Sequence, residues 1–136
     1  MQDYVEILTR RRIAEMPDGV WETEDYIDYD PSIGEGLIPI KVKMTIEGDQ
    51  LSYDLSGSHP AVGTFLNAGS GGAFSGVIAG TKTFCPDVPP NSGLYRAVQV
   101  DLGPDGSRAT APWPVAVQGL RSGPAAQTVK TRRAGW

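Results

Sequence analysis

The most regular pattern in the chain is an alternation of apolar and polar positions over residues 38–47. Apolar side chains occupy every second position of this stretch, and charged residues, threonine or proline occupy the positions between them. Because successive side chains of a strand point to opposite faces, the alternation predicts a strand with one buried face. Residues 48–49, Gly-Asp, follow where a two-residue hairpin turn belongs, and the alternation resumes over residues 51–55. The pattern therefore predicts a β-hairpin.

Apolar residues at helical spacing predict two helices. The first covers residues 2–15 and places Tyr4, Ile7 and Leu8 on one face. The second covers residues 73–85, with an apolar face opposite a side of small residues, which is typical of a helix packed closely on its neighbours. Its apolar face consists of Phe74, Val77, Ile78, Thr81 and Phe84 or Cys85.

Two further strands complete the prediction of secondary structure. They cover residues 20–27, where apolar and polar side chains mix on both faces, and residues 94–102, which contain β-branched valines. The chain is therefore expected to adopt an α+β fold. Its antiparallel sheet would contain a central hairpin, one helix would pack on the sheet, and another helix would lie at the N-terminus.

Composition narrows the class of protein. At 136 residues the chain is the size of one domain, and its 17 glycines and 11 prolines predict many turns. A net charge of −4 gives no electrostatic reason to bind nucleic acid or an anionic membrane. The sequence has no apolar run of membrane-spanning length and no signal-peptide pattern. A single cysteine excludes an internal disulfide, so we expect a reducing, cytoplasmic location.

The stretch "DLSGSHPAVGTFLNAGSGG", residues 54–72, contains an acidic residue, three serines and the only histidine of the chain. Two interpretations of it remain open. Asp54, Ser56 and Ser58 can bind backbone N–H groups in a turn that connects a strand to a helix. Alternatively, Asp54 and Ser56 line a pocket for a substrate or nucleotide.

Asn67 and Arg96 also have two interpretations each, whereas Asn91 has one. Asn67 opens the glycine-rich stretch 67–76, where it can cap a helix or hydrogen-bond to a ligand. This stretch is no P-loop, because no Gly-Lys-Ser/Thr follows its glycines. Asn91 is typical of a turn, and Arg96 either binds a carboxylate ligand or pairs with Asp101.

Catalytic and metal-binding chemistry has little support in the sequence. His59 and Cys85 lie far apart and give no ligand-spaced cluster, so we predict no metal site from them. No Gly-x-Ser-x-Gly elbow lies between a strand and a helix, and the catalytic residues remain unassigned. Asp25, Asp28 and Asp30 form an acidic run that either binds Mg²⁺ or Ca²⁺ or, as we expect, is a solvated strand edge. Cys85 is expected to be a small buried apolar residue.

Four segments, taken together in this order, resemble the hydantoinase B/oxoprolinase family. They are "MPDGVWETEDYIDYD" (16–30), "IPIKVKMTIEGDQLSYDLSGSHPAVGTFLNAG" (38–69), "DVPPNSGLYRAVQV" (87–100) and "PWPVAV" (112–117) after a Gly-Pro-Asp-Gly-Ser turn. The family includes N-methylhydantoinase B, the C-terminal half of 5-oxoprolinase, and relatives that carboxylate acetone or acetophenone.

The resemblance implies part of an ATP-dependent hydrolase that opens cyclic amides of the hydantoin or 5-oxoproline type. It implies ATP and Mg²⁺ in the assembled enzyme and a hydantoinase A-type subunit that supplies most contacts to the nucleotide. The isolated chain is not expected to catalyse the reaction. Two alternatives stay open: a subunit fragment of an ATP-dependent ketone carboxylase, and a non-catalytic β-rich interaction module.

The resemblance also divides the chain and selects site residues. Residues 1–117 resemble an interior fragment of the much longer family members, whereas residues 118–136 are expected to be an irregular, disordered or frame-altered tail. A fragment would expose former interior surface, so self-association is expected. The residues implied in substrate binding are Asp54, Ser56, Gly57, Asn67, Asn91 and Arg96.

Overall fold

The computed structural model describes residues 1–27, 36–64 and 66–111. These residues form a four-stranded sheet with three helices. In chain order the elements are α1 (Gln2–Ala14), β1 (Gly19–Ile27), β2 (Ile38–Glu47), β3 (Gln50–Asp54), α2 (Ser70–Thr81), α3 (Ser92–Arg96) and β4 (Val98–Asp101). The predicted α+β class is confirmed.

The sheet has the strand order β1-β2-β3-β4. β2 pairs antiparallel with β1 and with β3, and the predicted hairpin turn lies between Glu47 and Gln50. Gly48 adopts a positive φ of 60° in this turn, a conformation that glycine reaches without a steric penalty. β4 is the exception to the predicted antiparallel sheet, because it runs parallel to β3. The long connection through α2 and α3 makes this direction possible.

The two faces of the sheet differ as the alternation predicts. The apolar side chains of β2 and β3 are buried, and α2 packs over them, with the Thr81 hydroxyl donating to the Tyr53 hydroxyl at 3.1 Å. We call the opposite, wetter side the polar face. Its polar side chains include Glu22, Glu24, Lys41, Lys43, Ser52, Asp54, Gln99 and Asp101.

α2 begins three residues earlier and ends four residues earlier than predicted, at Thr81 instead of residue 85. The predicted apolar face is nevertheless the packed one, since Val77, Ile78 and Thr81 are buried. Beyond the helix, the Lys82 ammonium donates to the backbone carbonyls of residues 85, 86 and 88. This lysine therefore closes the loop that covers Cys85, whose thiol is buried as expected.

The predicted apolar face of α1 was wrong at two positions. Tyr4 and Ile7 are exposed, whereas Val5, Thr9 and Ile13 are buried. Thr9 can be buried because its hydroxyl donates to the carbonyl oxygen of Val5 at 2.7 Å, so that no polar group is left unsatisfied. The inner side of α1 is therefore set by what it packs against, namely α3 and β3.

The strand predicted over residues 94–102 was wrong in its first part, because residues 92–96 form the short helix α3. The Asn91 side chain caps this helix by accepting a hydrogen bond from Gly93 N at 2.8 Å. α3 lies against α1, and we call this contact the α1–α3 seam. At its centre a Cβ added to Gly93 would lie 2.2 Å from the carbonyl oxygen of Gln2.

None of the helices in the described ranges has the length and apolar character needed to cross a membrane. The predicted tail, residues 118–136, lies outside the described residues, as do Asp28 and Asp30 of the acidic run. Self-association and a cytoplasmic location stay predictions.

Candidate functional site

A groove of about 470 Å³ lies on the polar face of the sheet, where β1, β2 and the turn after β3 meet. It brings together three of the predicted site residues, Asp54, Ser56 and Gly57. The other lining residues are Glu22, Thr23, Glu24, Lys41, Val42 and Lys43. A second depression of about 330 Å³ shares Lys43 and Asp54 and continues towards β4.

Asp54 is the last residue of β3, and its carboxylate organises the turn that follows. Its Oδ1 accepts a hydrogen bond from Ser56 N at 2.8 Å, which is the turn chemistry that the sequence predicted. Hydrogen bonds from the Ser56 hydroxyl and then the Ser56 backbone lower the pKa of Asp54, and the positive charge of Lys43 adds to this effect. Asp54 is therefore an ionised hydrogen-bond acceptor at neutral pH and is poorly suited to act as a general acid.

Two lysines and two glutamates form cross-strand pairs along the groove. Lys41 Nζ lies 3.8 Å from a Glu24 carboxylate oxygen, and Lys43 Nζ lies 3.9 Å from one of Glu22. All four side chains are at least 37% exposed, so solvent weakens these attractions. On its other side, Lys43 is the register partner of Asp54. The groove thus presents the positive charges of two lysines between two carboxylates on β1 and the single carboxylate of Asp54 on β3.

The turn after β3 is fastened to β2. The Ser58 hydroxyl accepts a hydrogen bond from Lys41 N and donates one to Lys41 O, each at 3.1 Å. His59 N donates to Pro39 O at 3.1 Å, which extends the attachment by one more contact. A Cβ on Gly57 would lie 3.4 Å from the Lys41 side chain, so the turn lies directly on that lysine. Ser58 therefore bonds across to β2, and not within its own turn as predicted.

Asn67 lies in the core and not in the groove. It is fully buried, its Oδ1 accepts from Val62 N at 2.8 Å, and its Nδ2 donates to the carbonyls of Val62 and Thr64 at 2.7 and 2.8 Å. The prediction that Asn67 caps α2 was wrong, because Gly69 is the N-cap and no side-chain hydrogen bond caps this end. The asparagine amide instead holds the shape of the connecting loop.

Asn91 and Arg96 also lie away from the groove, in the α1–α3 seam. Asn91 caps α3, as a turn residue would. Arg96 does not pair with Asp101; its guanidinium donates to Asp3 Oδ1 at 2.9 Å, to Glu6 Oε2 at 3.5 Å and to Gln2 Oε1 at 3.3 Å. The prediction of a pair with Asp101 was wrong because α3 turns Arg96 towards α1.

The other chemistry-bearing residues have local contacts. His59 Nδ1 lies 2.8 Å from Pro60 O, next to its own backbone. Asp25 Oδ1 accepts a hydrogen bond from Tyr26 N at 2.8 Å. Burial raises the pKa of the Cys85 thiol, which disfavours the reactive thiolate. Within the described ranges, no three His, Cys, Asp or Glu side chains are grouped so that they could hold a metal ion.

Sequence reasoning missed three cationic side chains. Lys41 and Lys43 line the groove, and their position on the polar side of the alternating strand was the signal that could have identified them. Arg108 is 5% exposed, and its Nε donates to Leu66 O at 2.6 Å. No pattern in the sequence marks Arg108 as buried, because its environment is formed by a loop distant along the chain.

The groove presents charged and hydrogen-bonding groups of both kinds, donors and acceptors. The groove is lined by three carboxylates, two ammonium groups, two hydroxyls and a glycine, and none of its lining residues is a histidine or a cysteine. Asp54 offers hydrogen-bond acceptors next to the donors of Lys43. A small polar ligand with one donor and one acceptor would find partners for both.

Comparisons with known proteins give this geometry a family context. The sequence model of the hydantoinase B/oxoprolinase family matches residues 1–131. Caprolactamase subunit beta of Pseudomonas jessenii is 35% identical over 115 residues, which cover 84% of this chain and 19% of that protein. An uncharacterised protein of Methanocaldococcus jannaschii is 27% identical over 99 residues, covering 72% of this chain and 17% of that protein. The chain thus spans about a fifth of the length of these curated relatives.

Solved structures agree with the sequence matches. The crystal structure of the ATP-dependent caprolactamase from Pseudomonas jessenii superposes with a TM-score of 0.84 and 31% identity, over 98% of this chain and 24% of that one. A nucleotide-free acetone carboxylase superposes with a TM-score of 0.73 over 87% of this chain and 17% of that one, at 18% identity, which shows the fold alone. Since the family match covers nearly the whole sequence, the chain belongs to the hydantoinase B/oxoprolinase family.

Proposed function

We propose that this chain is part of an ATP-dependent enzyme subunit that opens a cyclic amide. The observation that carries the proposal is its 35% identity to caprolactamase subunit beta over 115 residues. Caprolactam is a cyclic amide, as are hydantoin and 5-oxoproline, so the relative falls within the substrate class that the sequence implied. The fold shared with the caprolactamase structure supports the same assignment.

In this proposal the groove contributes polar contacts to the substrate. Each amide group of a cyclic amide has one N–H donor and one carbonyl acceptor, and Asp54 and Lys43 offer the complementary acceptor and donor as register partners. Ser56 and Gly57 form the edge of the groove above them. The substrate-binding roles of Asn67, Asn91 and Arg96 remain predictions, and each of these side chains has a structural contact within the fold.

The cofactors and the partner subunit belong to the proposal for the whole assembly. The described residues contain no Gly-Lys-Ser/Thr phosphate loop, and no three of their His, Cys, Asp or Glu side chains are grouped to hold a metal ion. Following the family resemblance, we assign ATP and Mg²⁺ to the assembled enzyme, with most contacts to the nucleotide supplied by a hydantoinase A-type subunit. The chain described here would supply one wall of the substrate site.

The ketone carboxylase alternative has weaker support than the amide hydrolase. Its evidence is the likeness to acetone carboxylase at 18% identity, which extends to the fold and not to the chemistry. The caprolactamase of Pseudomonas jessenii matches at 35% identity in the sequence comparison and at 31% in the structural superposition. No contact in the groove favours a carboxylation site over an amide site.

A segment exchange tests the proposal. The matching 115 residues of caprolactamase subunit beta would be replaced by those of this chain, and the chimera would be combined with the other subunit of that enzyme. We expect an assembly of native size whose ATP hydrolysis requires a cyclic amide. ATP turnover and the ring-opened amino acid would be measured with caprolactam, hydantoin and 5-oxoproline in turn.

Two groove variants of the chimera make the test specific. Asp54→Asn and Lys43→Met should each raise KM for the cyclic amide about tenfold, because each removes one charged hydrogen-bonding partner. The matched control is Val20→Thr. Val20 lies on β1 but outside the groove lining, so this substitution should leave KM unchanged. An assembled chimera that hydrolyses ATP only with acetone and bicarbonate, or that never turns over, contradicts the proposal.

A further inference from the structure

Two neighbouring strands each end in a turn of the same kind, in which an aspartate accepts a hydrogen bond from the backbone N–H two residues later. β3 ends at Asp54, whose Oδ1 accepts from Ser56 N at 2.8 Å, and β4 ends at Asp101, whose Oδ1 accepts from Gly103 N at 2.8 Å. Asp54 and Asp101 are register partners in the parallel pair, and Leu55 N donates to Asp101 O at 2.8 Å. The two turns therefore lie side by side. We call the turn after β3, at the edge of the groove, the front turn, and the turn after β4, beside it, the rear turn.

The rear turn touches the front turn through Gly103. This glycine has a φ of +86°, and a Cβ built on it would lie 2.8 Å from Ser56 Cα and 3.4 Å from Ser56 N. Real Cβ atoms do not approach backbone atoms as closely as 2.8 Å, so a larger residue would force one of the two turns to move. The backbone of Ser56, which lines the groove, is thus in direct contact with Gly103.

We infer that Gly103 is a positioning residue for the groove: its missing side chain lets the turn after β4 support the Ser56 backbone at the place where Ser56 binds Asp54. The inference rests on the proposed function for its consequence in catalysis, but the contact itself does not depend on that proposal. The effect of Gly103 reaches a ligand only through Ser56 and Asp54.

Asp54 reports on the position of Ser56. The hydrogen bonds from Ser56 lower the pKa of Asp54, and pushing Ser56 away weakens them, so the pKa should return towards the usual carboxyl value. The other charged groups around Asp54 are Lys43 on β2 and Asp101 on β4, with Glu22 beyond Lys43. None of these is altered when Gly103 is changed to alanine.

The chain contains a matched control for this substitution. Gly106 has a φ of +87°, nearly the same as Gly103, but no heavy atom lies within 4 Å of the Cβ position. Gly103→Ala and Gly106→Ala therefore introduce the same backbone strain, and only the first introduces the contact with Ser56. The difference between the two variants isolates that contact.

The first experiment is an NMR titration of the 136-residue chain that follows the carboxyl carbon of Asp54 and the amide of Ser56. Gly103→Ala should raise the pKa of Asp54 and shift the Ser56 amide signal, whereas Gly106→Ala should leave both as in the unmodified chain. If the Asp54 pKa and the Ser56 signal are the same in Gly103→Ala as in Gly106→Ala, the inference is overturned.

A second pair of variants covers the case in which Gly103→Ala does not fold. Asp101→Ala and Asp101→Asn both remove the negative charge beside Asp54, but only asparagine keeps the acceptor for Gly103 N. Loss of the rear turn should give Asp101→Ala a higher Asp54 pKa than Asp101→Asn. Equal Asp54 pKa values in this pair would contradict the support of Ser56 by the rear turn.

The functional consequence is measured in the caprolactamase chimera. Gly103→Ala should raise KM for the cyclic amide about tenfold, since small displacements of positioning groups cost this much or more, and Gly106→Ala should not. If the Asp54 pKa moves and KM does not, the positioning of Ser56 stands and the assignment of the groove to the substrate is wrong. If neither moves, the positioning inference itself is wrong.

Discussion

The polar face of the sheet and the α1–α3 seam both carry ion pairs, but they are built differently. On the polar face, Lys41 and Lys43 lie 3.8 and 3.9 Å from their glutamate partners. In the seam, Arg96 Nη1 lies 2.9 Å from Asp3 Oδ1 and 3.5 Å from Glu6 Oε2. The pair of Arg96 and Asp3, at 2.9 Å, has the geometry of a charge-assisted hydrogen bond, whereas the polar-face pairs, at 3.8 and 3.9 Å, are too long to be hydrogen bonds.

Backbone packing shows the same difference. Gly93 brings α3 so close to α1 that an added Cβ would lie 2.9 Å from Glu6 N and from Val5 Cβ. The groove on the polar face is open, and its lysines are free to leave their glutamates for a ligand at little cost in stability. The seam is therefore the more tightly packed of the two regions, whereas the groove on the polar face leaves room beside its charged side chains.

The largest effect is expected at Gly93. Gly93→Ala places a methyl group against the carbonyl oxygen of Gln2 and should lower the free energy of unfolding by about 3 kcal/mol. Urea denaturation followed by circular dichroism measures this. Gly71→Ala, in α2 with no atom within 4 Å of the added methyl group, is the control and should stay within about 1 kcal/mol of the unmodified chain. Similar losses in both variants would refute a tight seam.

An intermediate effect is expected when one cation is removed from each region. Arg96→Met should cost about 1 kcal/mol because it removes three hydrogen bonds from Arg96 to α1, and Lys43→Met should cost less than about 0.5 kcal/mol. The difference should shrink in 1 M NaCl, where screening acts over about 3 Å. Equal costs at low salt would mean that the two sets of ion pairs do not differ in strength.

The smallest effect is expected from the charge of Asp54. Its pKa is lowered in the folded protein, so its contribution to stability is present above the usual carboxyl pKa of about 3.9 and is lost as the pH falls through the lower folded value. Asp54→Asn keeps an acceptor for Ser56 N and removes only the charge. At pH 7 it should cost less than about 0.5 kcal/mol, because solvent screens this exposed face.

Acid titration of stability checks the sign of this effect. The gap between the unmodified chain and Asp54→Asn should close as the pH drops from 5 to 2. A gap that widens in this range would mean that burial, and not the hydrogen bonds from Ser56, dominates at Asp54.

The sequence predicted those parts of the fold that depend on neighbours along the chain. The hairpin of β2 and β3 followed from an alternation of period two and a Gly-Asp turn, both local signals. The direction of β4 could not be predicted, because it depends on how α2 and α3 carry the chain across the sheet. The helix α3 was missed although Asn91 is a typical cap, since a run of apolar residues beyond Leu94 also fits a strand.

The candidate site was predictable to a similar extent. Asp54, Ser56 and Gly57 form one contiguous turn, so the sequence placed them together correctly. The distribution of the other predicted residues over the core and the seam depends on contacts between segments far apart in the chain. The side-chain amide of Asn67 forms hydrogen bonds with the backbone of Val62 and Thr64. No local sequence pattern distinguishes such a structural asparagine from one that contacts a ligand.

The hydroxyl of Ser58 has a consequence for how relatives of this chain should be compared. By accepting from Lys41 N and donating to Lys41 O, it replaces a whole residue of a paired strand at the point where β3 has ended. Natural selection would therefore retain serine or threonine at position 58 in any protein that ends this strand in the same way, whatever reaction it catalyses. An invariant hydroxyl at this position would be a mark of shared architecture, and evolutionary constancy alone would misidentify it as a nucleophile.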